Sequence, residues 1–311
     1  MRLGIMNAIT SIGKERSKVE LDLSGLRLLV GFLLAFAIAD PNDQVCSAAR
    51  NALKDVVAIH GGTDEAIQFL LPSIEGVLIK GDVDESYLKE LPLEKLPRTI
   101  LSSDKRKEGA VIALGSVALH LNDETNVEKI DSTLEMLIAA LKTPSEDVQA
   151  SVTESLSKLM KKGRIPDRIE SLISQLIEDC LNGSSYAIRR GAAYGISAIV
   201  KGSGISCLKK YDLVKKLEVA CTSGSPNAKE GSLCAIELLC SRLGLLFEPY
   251  VIVLLPALLK AFGDSNDYVR NAASTTAGLI MSKLSSHGVK LVMPAILDAL
   301  NRIGAPSKHP S

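Results

Sequence analysis

Tryptophan is absent from this 311-residue chain, and all aromatics together make up only 4% of it. A β-sandwich or barrel usually fills its core with aromatic and β-branched pairs, so this composition argues against one. Leu, Ile, Val and Ala must fill the interior instead, which suits stacked helices. Net charge is absent as well, with 36 basic residues against 36 acidic ones, so no global field draws the chain to nucleic acid or to a membrane. The six cysteines, Cys46, Cys180, Cys207, Cys221, Cys234 and Cys240, form no C-x-x-C pair and no compact framework. They are expected to be reduced, buried thiols in a cytosolic or nuclear protein. The sequon Asn182-Gly183-Ser184 has no consequence in such a compartment.

Long apolar runs are also missing. The longest, Leu28 to Ala39, is too short to span a bilayer, and no signal-peptide layout precedes it. It is expected to be a buried helix. Catalytic signatures are lacking too: there is no G-x-x-x-x-G-K-[ST], no H-E-x-x-H and no G-x-S-x-G. Gly202-Ser203-Gly204 begins like a dinucleotide fingerprint, but Cys207 stands where the third glycine belongs and a helix precedes it. The better reading is a turn closing a repeat. His60, His120, His287 and His309 are far apart in sequence, and the first two fall near helix ends, where histidines commonly cap. No catalytic residue, metal, cofactor, membrane contact or small-molecule substrate is therefore assigned.

What the chain does have is a period. Val45, Arg106, Val148, Ile188, Ala228 and Val269 each stand just inside the start of a helical pattern; the last four are 40, 40 and 41 residues apart, and Arg106 precedes Val148 by 42. Three residues after these anchors come Ala48, Gly109, Ser151, Gly191, Gly231 and Ala272. Seven after come Ala52, Ala113, Ser155, Gly195, Ala235 and Thr276, and eleven after come Val56, Val117, Leu159, Ile199, Leu239 and Ile280. Small, small and large-aliphatic residues thus recur on one helix face in all six copies. Eleven residues before an anchor stand Leu34, Leu137, Ile177, Leu217 and Leu258, the stripe of a first helix in each pair. Turns such as Asp40-Pro41-Asn42-Asp43, Thr143-Pro144-Ser145-Glu146 and Gly263-Asp264-Ser265-Asn266 separate the two helices.

A two-helix unit of this length is the HEAT or armadillo period. Asp40 and Asp264, five residues before an anchor, favour HEAT, as do the basic residues Lys107, Arg189, Lys229 and Arg270 just after one, which can ladder to acids in adjacent turns. The expected fold is an all-α solenoid of about seven HEAT-type helix pairs with a right-handed superhelix. It is expected to form one array over residues 1–300, incomplete at both ends because residues 2–13 and Gly288 to Leu300 each lack a pairing helix. That layout reads as a piece or truncated product of a longer array. The 61-residue spacing from Val45 to Arg106 places an insertion at residues 80–103, and residues 301–311 read as a polar, disordered tail.

Charge is distributed unevenly. Asp40 to Pro97 carries 11 acidic and 5 basic residues, while Lys158 to Lys216 carries 12 basic and 5 acidic ones. The candidate contact residues are Arg189, Arg190, Lys201, Lys209, Lys210, Lys215 and Lys216, near helix ends where a solenoid presents its edges. Such an edge suits RNA phosphates or an acidic protein face. Tyr186, Tyr194 and Tyr211 are the few aromatics nearby, so base stacking is not indicated.

Several segments carry a more specific likeness. Arg189 to Gly195 with Val200-Lys201-Gly202, Leu246 to Val251, Leu255-Pro256, Phe262-Gly263-Asp264 and Ser286 to Val292 resemble the central region of the general control nonderepressible translational activators. Thr143 to Glu146 with Val148-Gln149 extends the likeness upstream, so that it spans roughly Leu114 to Leu300. The resemblance implies a non-enzymatic, cytosolic HEAT scaffold that sits on ribosomes. It would relay amino-acid starvation to the kinase that phosphorylates initiation factor two alpha. It also implies similarity to the HEAT region of fungal elongation factor three and an ATP-binding-cassette partner. The kinase-binding segment of that family lies beyond the region matched, and the pattern breaks at Asn301 to Ser311. Apart from the resemblance, the same residues fit a general protein-interaction solenoid of the transport-receptor or phosphatase-scaffold kind.

Overall fold

The computed structural model describes residues 2–14, 21–80, 103–121, 127–161 and 168–304, and within them every regular element is a helix. They form two compact units, Met1–Arg164 and Ile165–Ser311. The first holds α1 (Arg2–Lys14), α2 (Leu23–Phe32, continued by a π-helical turn Leu33–Ala37), α3 (Asp43–His60), α4 (Asp64–Lys80), α5 (Ser103–Ala118), α6 (Val127–Ala140) and α7 (Glu146–Lys161). In the second are α8 (Ile169–Asn182), α9 (Tyr186–Ser203), the short α10 (Ser206–Lys210), α11 (Leu213–Ser223), α12 (Pro226–Leu243), a 3-10 turn Gly244–Phe247, α13 (Glu248–Ala261), α14 (Asp267–Lys283) and α15 (Ser286–Gly304).

Each unit is a two-layered stack of helix pairs. In the first, α2/α3, α4/α5 and α6/α7 are the pairs, and α1, α3, α5 and α7 pack successively as the second-helix layer. In the other, α8/α9, α11/α12 and α13/α14 are the pairs; α9, α12 and α14 form one layer, and α11, α13 and α15 lie side by side in the other. Six anchors of the sequence period mark six second helices. The insertion at residues 80–103 lies outside the described residues, apart from Lys80 at the end of α4 and Ser103 at the start of α5. The helix expected to stop at residue 300 runs through Gly304, and the rest of the tail, 305–311, lies outside the described residues.

The period works because of what each position touches. All six residues eleven places after an anchor are buried, from Val56 at 0% exposure to Ile280 at 4%. Three places after the anchor the side chains are small because a neighbouring helix crosses there. The tightest approach is at Gly231, where a Cβ would sit 1.9 Å from the Cys180 carbonyl oxygen on α8. Gly109, at the same register position in α5, would place its Cβ 2.4 Å from Ile38 Cδ1. The apolar run Leu28 to Ala39 is a buried helix as expected, with Leu33 and Ile38 at 0% exposure. A second apolar stretch, Pro226–Ala261, is broken at Gly244, whose φ of 57° few other residues tolerate, so it folds as two helices.

Turn chemistry follows the sequence closely. Asn42 Oδ1 accepts from the amides of Gln44 and Val45, Ser185 Oγ from Ile188, Ser225 Oγ from Ala228 and Asn266 Oδ1 from Tyr268, so each caps a second helix. Asp40 and Asp264 do one job in two places. Each accepts from the amide two residues on, at 2.8 and 2.9 Å, and each pairs with a cation on the preceding second helix: Arg2 for Asp40, Lys229 for Asp264.

Candidate functional site

Arg189, expected at a contact edge, is instead part of the packing. Its side chain starts one residue after an anchor, on the face of α9 that turns towards α8 and α12. One guanidinium nitrogen donates to the Gly183 carbonyl at 2.9 Å, and the other bonds Glu230 Oε2 on α12. Arg270 and Gln149 stand at the same register and make the same return bond, to the carbonyls of Asp264 (2.7 Å) and Thr143 (2.8 Å), each six residues back. The position after the anchor therefore satisfies a carbonyl that the preceding helix leaves open, and Arg189 also ties neighbouring repeats together through Glu230. At 6% exposure Arg189 cannot be a docking residue. Among the basic residues expected to ladder, Arg189 and Lys229 reach acids one repeat away (Glu230, Asp264), while Arg270 closes its own turn with Asp264.

The other six candidates fall into two places. Arg190, half-buried at the start of α9, lies over the Tyr186 ring with its guanidinium carbon 5.5 Å from the centroid. Lys201 is exposed near the far end of α9, about 16 Å along the helix at 1.5 Å per residue. Lys209 and Lys210 end α10, and Lys215 and Lys216 lie in the first turn of α11; all four are exposed. The structure thus leaves Arg190 at one end of α9 and gathers the lysines into a basic edge along the connection from α9 through α10 to α11. Lys210 Nζ lies 5.0 Å from the Tyr211 ring centroid, and its hydrogen bond and proximity to Tyr211 raise its pKa. Tyr194 is buried, so of the three tyrosines only Tyr186 and Tyr211 flank basic groups, and each already carries a cation on its ring.

Beside this edge lies a cleft that the sequence did not announce. Nine residues, 204–212, connect α9 to α11, where Gly61 to Thr63 suffice between α3 and α4 and Leu284-Ser285 between α14 and α15. The connection accommodates α10 and leaves α11 with 11 residues against 14 in α8 and α13. α11 packs on α12 and α13, whereas α8 packs on α9 and α12. An opening of about 680 Å³ remains between α8 and α11, with Ile177, Leu181, Val219 and Ala220 on its apolar walls and Lys215, Lys216 and Asp212 at its rim. Ile177 shows the effect. Leu34, Leu137, Leu217 and Leu258, its register equivalents, are at most 4% exposed, but Ile177 is half-exposed. The signal available in sequence was the length of the 204–212 connection.

Among the described residues the cysteines and histidines assemble no centre. Burial raises Cys180 to about 12, and Cys207, Cys221 and Cys240 are raised for the same reason. His60 ends α3, His120 lies two residues past α5 and His287 is in the first turn of α15; His309 lies outside the described residues. Among the described residues no three His, Cys, Asp or Glu side chains are grouped as metal ligands.

The elongation-factor EF3 N-terminal HEAT repeat family matches residues 189–306, the stretch from α9 through α15 that includes the basic edge. The human protein named stalled ribosome sensor GCN1 is 38% identical over 281 residues, which is 90% of this chain and 10% of that one. The chain is a homologue of one stretch of the GCN1 proteins. The Dictyostelium discoideum member, named eIF-2-alpha kinase activator GCN1, is 32% identical over 305 residues, covering 96% of this chain and again 10% of the relative. The chain thus spans about a tenth of the length of the GCN1 proteins it matches. Among solved structures, Kap121p bound to RanGTP superposes with a TM-score of 0.50 at 15% identity, covering 98% of this chain and 30% of that one. That likeness shows the HEAT-type fold alone. The resemblance read from Arg189 to Gly195 and from Leu246 to Val251 is therefore the right family, even though Arg189 itself serves the core.

Proposed function

We propose that this chain is a non-enzymatic HEAT segment of a cytosolic translational regulator, and that it contributes to docking on ribosomes. The observation that carries the reading is 38% identity over 90% of the chain to a protein named for sensing stalled ribosomes. The match of residues 189–306 to the elongation factor EF3 HEAT family supports it. Within this reading the contact residues are the exposed lysines Lys201, Lys209, Lys210, Lys215 and Lys216, with Arg190 at a second point and Arg189 beside it holding α9 to α12. An ATP-binding-cassette protein is proposed as a further partner. Stimulation of the initiation factor two alpha kinase would run through segments outside this stretch.

Co-sedimentation of the purified chain with ribosomes at rising salt tests the reading. Binding that weakens steeply with salt, and that a Lys209→Glu/Lys210→Glu variant weakens about tenfold or more, is expected for a phosphate-rich or acidic target. A chain that stays in the supernatant at low salt, or a charge-reversed variant that pellets as well as the parent, would sink it.

A further inference from the structure

The cleft between α8 and α11 has the chemistry of a peptide site. We infer that it takes a short acidic peptide segment of a partner protein, anchored by one or two aliphatic or aromatic side chains. Three features point to that occupant. Ile177, Leu181, Val219 and Ala220 present apolar surface at the opening, and Val219 is 55% exposed there. Lys215 and Lys216 stand at the rim in the first turn of α11, where a cation opposes the positive end of the helix dipole and an incoming carboxylate would offset both. Lys209, in the last turn of α10, adds to the same positive field. Asp212 is the opposing charge at the rim; it sits in the left-handed region at φ 54° and makes no side-chain cap to α11.

An RNA strand would use the lysines but not the apolar walls, since a phosphate backbone needs no cavity and no exposed aromatic ring projects from the cleft lining for a base to stack on. A peptide uses both, with side chains in the cleft and carboxylates on the rim. A volume of about 680 Å³ suits a few residues rather than a whole helix. The inference shares Lys209, Lys215 and Lys216 with the ribosomal reading but does not depend on it, because the apolar wall belongs to the peptide alone.

Selection of a random dodecapeptide display library on the whole purified chain tests it, followed by anisotropy titration of the enriched peptides. Enrichment of sequences rich in Asp and Glu with interspersed Leu, Ile or Phe is expected. Val219→Asp and Lys215→Glu/Lys216→Glu should each weaken such a peptide about tenfold or more, and Asp212→Asn should tighten it about two- to threefold. Asn tolerates the left-handed backbone, and Val219 is already exposed, so all three variants are expected to melt as the parent does. No acidic enrichment, or peptides whose affinity ignores Val219→Asp, would overturn the inference, as would competition by a U20 oligoribonucleotide that Val219→Asp leaves unchanged. Ribosome co-sedimentation that persists in Val219→Asp while peptide binding is lost separates the two readings.

Discussion

Arg189 on α9 and Glu230 on α12 form an ion pair between neighbouring repeats, with side-chain exposures of 7% and 14%. Because the same guanidinium also closes the turn to Gly183, one residue holds a helix pair together and joins it to the next. Its neighbour Arg190 lies over Tyr186 at the same end of α9, so two adjacent arginines have different work.

Removing one partner of a buried pair strands the other. Arg189→Ala is expected to cost about 3 kcal/mol in urea unfolding, because Glu230 is left largely shielded without its partner and the Gly183 carbonyl unpaired. Arg189→Met with Glu230→Leu should recover most of the loss, since replacing both charges by apolar groups removes the stranded carboxylate. A double variant no more stable than Arg189→Ala would contradict the assignment.

Glycine positions should divide by the space around them. Gly231→Ala drives a methyl into the Cys180 carbonyl, a backbone atom that cannot step aside, and should cost about 1–3 kcal/mol or more. Gly278, exposed in the middle of α14 with nothing within 4 Å of a Cβ, should gain about 0.5–1 kcal/mol on replacement by Ala. Thermal melts of the two variants should move in opposite directions.

Two carboxylates should shape the acid limb with opposite signs. The hydrogen bond from Lys229, with that from the Asn266 amide, lowers Asp264 below its ordinary value. Its stabilisation is therefore complete above about pH 4, the usual Asp range, and is lost as pH falls through the lowered folded value. Glu108 behaves in reverse: burial raises it despite Arg50 3.2 Å away, so its contribution is complete below the usual Glu range and fades as pH rises through the raised value. Melting temperatures between pH 2 and pH 7 check both. Asp264→Asn should lose less stability than the parent on acidification, and Glu108→Gln should lose less on the rise from about pH 4 to neutrality.

Much of this was legible because a repeat states its core several times. Six copies of small, small and large-aliphatic spacing fix helix phase, and the burial of Val56, Val117, Leu159, Ile199, Leu239 and Ile280 follows from phase alone. Asp40 and Asp264 could be grouped in advance by their place five residues before an anchor, and because turn chemistry is local each accepts from the amide two residues on. The roles of Arg189 and Arg190 were not separable, since consecutive residues on a helix differ by about 100° and only the neighbours of each say which side is solvent.

The sequence by itself determined the helix-pair period, the turn caps and the kinship with one stretch of the GCN1 proteins, because each depends on residues close together in the chain or on their order. Only the tertiary structure decided which cations are spent inside and which remain outside. Arg189 is consumed by a carbonyl on one side and by Glu230, 41 residues on, on the other. The cleft beside Lys215 and Lys216 likewise exists because the connection through α10 keeps α11 off α8, a spacing set by three helices at once. Its one trace in the sequence is the length of the 204–212 connection, and Ile177, in register with four buried residues, is left half-exposed there.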